Sequence, residues 1–151
     1  MNRNRILFGL LMAMVLTLSV SVSAQVSRPF HNGSVWEVAF IRMKPGMETA
    51  YLNYIATDWK RNQEAMKKAG LILSYKVLTT EGHGPEDFNI MLMTEFKDLA
   101  TMEANDDKAD NLAQQVVGTD AKQMQGYKER LEIREVMSDR LSREIILEPK
   151  R

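Results

Sequence analysis

From Val35 the chain alternates with a period of two. In Val35–Met43 (VWEVAFIRM), Trp36, Val38, Phe40 and Arg42 share one face and Glu37, Ala39, Ile41 and Met43 the other, which predicts a strand. Lys44-Pro45-Gly46 ends it, because proline cannot donate to a ladder and glycine permits the turn. The period then lengthens. Met47, Tyr51, Tyr54, Ile55, Met66 and Ala69 form an apolar stripe against Lys60, Arg61, Glu64, Lys67 and Lys68, predicting a helix over 47–69 that Gly70 stops. Leu71–Thr79 (LILSYKVLT) and Phe88–Phe96 (FNIMLMTEF) read as a second and third strand, joined as a hairpin by EGHGPEDF. Asp98 is placed to cap a helix carrying Leu99 and Met102. Ala109, Leu112, Ala113 and Val116 continue its apolar face past a polar break at Asn105-Asp106-Asp107, and Gly118 ends it. Asp120 with Gln123 has the spacing of a capping box, opening a third helix that runs to about Arg140. Ser142–Glu148 (SREIILE) alternates again and reads as the last strand before Pro149.

The order is β-α-β-β-α-(α)-β. It predicts an α+β domain of the ferredoxin-like, split β-α-β kind: one antiparallel sheet with its helices on one face. The other face, carrying Trp36, Val38 and Phe40, is then too apolar for a soluble monomer. A second copy packed sheet to sheet covers it, so the expected state is a homodimer.

The ends change the compartment rather than the fold. Asn2-Arg3-Asn4-Arg5 is a basic head, Ile6–Val20 an apolar run, and Ser21-Val22-Ser23-Ala24 a small-residue cleavage site, the order of a secretory signal peptide cut after Ala24. The run is short for a bilayer span, which takes roughly 20 residues; a retained anchor is the alternative. Residues 25–34 (QVSRPFHNGS) read as a flexible leader, 35–148 as the single domain, and 149–151 as a tail. The expected location is periplasmic or secreted, with no membrane attachment after cleavage. Loss of Arg3 and Arg5 tips a chain of 20 basic and 20 acidic residues slightly negative, and no basic block remains to meet nucleic acid. With no cysteine, the chain has neither disulfides nor a thiol nucleophile, so packing or oligomerisation supplies its stability.

WEVAFIRMKPGMETAYLNYIATDW, a hairpin, and then TEFKDLATMEA resemble the dimeric α+β barrel superfamily over nearly all of 35–148. The likeness is to exported bacterial proteins of unassigned function near its NIPSNAP and antibiotic-biosynthesis-monooxygenase-like groups. The resemblance implies a dimer whose two sheets enclose a barrel-like cavity. Superfamily members include oxygenases, haem-handling enzymes, isomerases and ligand-binding regulators, so it implies no one activity. The haem-handling members use a histidine on a helix. No predicted helix here contains one, and no cofactor is expected.

The candidate chemistry is sparse. His83, between two glycines and close to Glu81, Glu86 and Asp87, suggests a metal or a proton-handling loop. Gly82, Gly84 and Pro85 are turn residues in their own right, so a solvated hairpin tip is the favoured reading and no metal site is expected. Asn105–Asn111 (NDDKADN) fails the spacing of an EF-hand loop. Trp36, Phe40, Tyr51, Tyr54, Trp59, Met91 and Met93 are residue types that line apolar cavities, although at strand and helix spacing such residues are usually core. Arg42, Lys76 and Glu95 are charges on strands, either reaching solvent at a strand end or orienting a ligand. The leading expectation is a protein binding a small apolar molecule in the inter-sheet cavity through Trp36, Val38, Phe40, Arg42 and Trp59. A cofactor-independent monooxygenase or isomerase using His83, Glu95 or Tyr54 is the second reading, and a structural or partner-binding exported protein the third.

Overall fold

The computed structural model describes residues 28–81, 84 and 87–148. The expected signal peptide, the tail and His83 lie outside the described residues.

Four strands make one sheet in the order β2-β3-β1-β4, every neighbouring pair antiparallel. They are β1 (Phe30–Met43), β2 (Ser74–Thr79), β3 (Ile90–Phe96) and β4 (Arg134–Leu147). Between β1 and β2 run α1 (Glu48–Tyr54), a π-helical turn (Ile55–Trp59) and α2 (Lys60–Lys68), continuous with one another. Between β3 and β4 come α3 (Leu99–Ala104), α4 (Asp106–Val116) and α5 (Asp120–Leu131). This is the predicted split β-α-β plan, with β1 at the centre of the sheet. Among the described residues no helix is long and apolar enough to cross a membrane.

The π turn has a cause in the sequence. Tyr51, Ile55, Trp59 and Gln63 are the positions that face the sheet, and they recur every four residues. A regular helix turns once in about 3.6 residues, so a four-residue repeat drifts by about 40° per step. One wider turn takes up the accumulated drift and keeps the four side chains in line.

The register sorts the sheet's two faces. Val35, Glu37, Ala39, Ile41 and Met43 of β1 stand beside Phe96, Thr94, Leu92 and Ile90 of β3 and point toward the helices. There Ile41, Met43, Tyr51, Ile55, Ile90 and Leu92 make the core, with Ala39, Tyr54, Trp59, Val77 and Ile133 packed around it. Trp36, Val38, Phe40 and Arg42 point the other way, beside Met91, Met93 and Glu95.

Punctuation follows the sequence closely. Gly46, Gly70 and Gly118 take positive φ at the predicted stops, and the Asp98 carboxylate accepts the Thr101 N–H at 2.7 Å as the cap of α3. The helix breaks at Asn105. Several boundaries differ, the start of β3 at Ile90 rather than Phe88 among the smaller ones. Phe30–Ser34 belong to β1 rather than to a leader, because Phe30, His31 and Asn32 pair with Leu147, Ile146 and Ile145. Leu71 and Ile72 precede β2 and are buried in the connection instead of laddered. The cap of α5 is Thr119, one residue before the predicted Asp120. The largest difference is Arg134–Arg140, expected as the end of a helix and found as the first half of β4. Its helix-forming residues yield to a long antiparallel pairing with β1, whose partners run from Val136 beside Ile41 to Arg140 beside Val38.

Candidate functional site

The face away from the helices is not a bare apolar sheet. The Lys76 Nζ lies 5.0 Å from the Trp36 ring centroid, and the Arg140 guanidinium 5.8 Å from that of Phe40. Phe40 meets Phe88 edge to face at 4.8 Å. Arg42 pairs with Glu135 across the β1–β4 ladder, and Ser74 donates to the Glu95 carboxylate. Val38, at the centre, is only 6% exposed. Long cations lie over two of the rings and cover part of the surface within one chain. Trp36, Val38, Phe40, Arg42 and Glu95 are thus brought together on this face, and Trp59 and Tyr54 are not among them.

Tyr54 and Trp59 lie on the helix side, where the open space is. A cavity of about 270 Å³ is walled by Ala39, Ile41 and Leu92 from the sheet, by Tyr51, Tyr54 and Trp59 from α1 and the π turn, and by Tyr127, Arg134, Val136 and Asp139 from α5 and β4. A second, of about 410 Å³, opens between the same Tyr54 and Trp59 and α5, and includes Asn62, Gly126 and Arg130. The two spaces share these rings as a common wall.

Rings and guanidinium groups alternate through this region. Arg130 lies 4.4 Å from the Tyr54 centroid; Tyr54 stacks on Tyr51 at 5.8 Å and 26°; Arg134 lies 5.7 Å from Tyr51 and 5.5 Å from Tyr127. Trp59 meets Tyr75 edge to face at 5.4 Å. Burial pushes the Tyr51 phenol up to about 12, against the opposing pull of Arg134. Tyr54 is raised for the same reason, with Arg130 pulling against it. Both phenols are therefore neutral at ordinary pH and cancel neither positive charge. On the sheet side of the region Glu37 is raised above 4.5, first by burial and then by Asp139.

Sequence reasoning named Tyr51, Tyr54 and Trp59 but missed Tyr127, Arg130 and Arg134. Tyr127 and Arg130 carried one visible signal, their i, i+3 spacing on a predicted helix. Arg134 carried none, because its stretch was read as part of the third helix. Among the described residues, no three histidine, aspartate or glutamate side chains converge in a way that would hold a metal ion.

No protein-family model matches the chain, and no curated protein matches it. Solved structures of similar fold are found. One is a NIPSNAP family protein with unknown function from Agrobacterium tumefaciens, at 17% identity over 78% of this chain and 92% of that one, TM-score 0.48. Another is a dimeric ferredoxin-like protein from an uncultured marine organism, at 13% identity over 80% and 100%, TM-score 0.48. A third is a dimeric protein of unknown function and ferredoxin-like fold from Bacteroides fragilis, at 18% identity over 78% and 99%, TM-score 0.41. None of them says what this chain binds.

Proposed function

We propose that the chain is an exported small-molecule-binding protein that works as a homodimer and holds its ligand between sheet and helices. The carrying observation is the cavity of about 270 Å³ whose walls are Tyr51, Tyr54, Trp59 and Tyr127. Rings on several sides suit a flat ligand, and sites of this kind combine apolar walls with a few placed polar groups. This reading moves the ligand from the inter-sheet space to the opposite side of the same sheet. What supports the move is that the outer face is already covered at its centre by Lys76 and Arg140.

Export rests on the order of residues 1–24, and the dimer on the Trp36, Phe40, Met91 and Met93 face. Native mass spectrometry of the chain purified from its own host's envelope or medium tests the binding reading. A small molecule retained by the wild type and released by Trp59→Ala supports it. Release by Trp36→Ala with retention by Trp59→Ala would return the site to the outer face.

A further inference from the structure

We infer that the helix-side cavity takes a carboxylate carried on a small planar body, and that Arg134 receives it. The inference rests on reading that cavity as a binding site and names the class of its ligand.

Arg134 is 6% exposed, and its Nε and Nη1 are buried without a hydrogen-bond partner. Among the described residues it forms no ion pair. Its neighbours are ring faces, Tyr51 at 5.7 Å and Tyr127 at 5.5 Å. A ring face attracts a cation but accepts little from N–H donors pointing elsewhere, so the burial of this group is only half compensated. Buried charges are normally both paired and hydrogen-bonded. Here the side chain borders the cavity of about 270 Å³ while these two donors stay covered, so an anion entering it is met once Arg134 turns them toward the space. Arg130 repeats the pattern beyond Tyr54, its Nε also buried and unpartnered, so the ring stack lies between two guanidinium groups.

The remaining walls narrow the anion. Guanidinium matches carboxylate and phosphate alike. Asp139 shares the cavity wall, and Glu37 is close enough for its charge to feel Asp139. A dianion would meet the Asp139 carboxylate, whereas a monocarboxylate turned toward Arg134 keeps clear of it. The flat walls of Tyr51, Tyr54 and Trp59 then take a planar body.

Calorimetric titration of the chain starting at Gln25 tests this with two matched pairs, benzoate against benzamide and naphthalene-2-carboxylate against its carboxamide, and with inorganic phosphate. In the wild type each carboxylate is expected to bind at least about tenfold tighter than its amide. Arg134→Met is expected to weaken the carboxylates about a hundredfold, leave the amides unchanged and keep or raise the melting temperature, because it removes an unmatched buried charge. Should Arg134→Met fail to fold, Arg134→Lys carries the test: carboxylates weaken about tenfold with amides unchanged. Equal binding of acid and amide by the wild type overturns the inference and leaves the cavity reading standing. Binding of neither pair overturns both. Inorganic phosphate matching the better carboxylate overturns the choice of carboxylate, and unaltered carboxylate affinity in the Arg134 variants overturns the role of Arg134.

Discussion

Glu37 and Asp139 sit diagonally across the β1–β4 pair, since Glu37 pairs with Leu141 and Ala39 with Asp139. Glu37 is raised above 4.5 by burial and then by this neighbour, so its protonated form is the one that folding favours. The stability it contributes is complete below 4.5 and is lost as pH rises through the higher folded value. Glu37→Gln is therefore expected to flatten that part of the stability profile and to be at least as stable as wild type at pH 7. Urea unfolding from about pH 4 to pH 7 checks it. A steeper decline in the variant would mean that the Glu37 charge is stabilising. Gly126 shows the same attention to charge at a single position. It stands inside α5, where glycine costs about 0.5–1 kcal/mol relative to alanine. A Cβ there would lie 3.1 Å from Arg130 Nη1, so the missing methyl is room for the guanidinium over Tyr54.

At the scale of elements, the π turn makes the sharper prediction. It holds one residue more than the α-helical path needs, and Thr57 within it is exposed. Deleting Thr57 is expected to leave a regular helix with Tyr51 and Gln63 still facing the sheet. Circular dichroism should then show undiminished helix and cooperative melting. Trp59 would shift relative to Tyr54, and carboxylate affinity would fall, as read by the calorimetric titration. Loss of folding instead would show that the wide turn carries packing rather than display. The sequence was legible here in proportion to how local the cause was. Gly46, Gly70, Gly118, the Asp98 cap and the alternation of β1 were readable because each acts within a few residues. The start of β4 was not. Leu131–Arg140 is rich in helix formers, and only pairing with β1 across the sheet makes its first half a strand. That one misreading also hid Arg134, whose burial exists only on the strand. The outer-face residues were legible as a set, but their covering by Lys76 and Arg140 depends on strand neighbours that no single stretch reveals.

For the whole molecule, the outer face still holds partly exposed Trp36, Phe40, Met91 and Met93 between its cations. A dimer through this side of the sheet is expected to sediment at twice the monomer mass at low micromolar concentration. Met91→Lys should shift it to monomer while leaving acid binding on the helix side intact. A wild type that sediments as a monomer sinks the dimer. The placing of β1 and β4 bears, finally, on the order of events when the chain folds. The strand at the centre of the sheet is the first to be synthesised, and its longest partner is the last. The Pro29 carbonyl accepts the N–H of Glu148 at 2.8 Å, joining opposite ends of the described chain. Closing so long a loop is slow, so the sheet stays incomplete until the final strand arrives. Until that strand is in place β1 keeps one whole edge open, so the fold is completed only when the last of its four strands has been made.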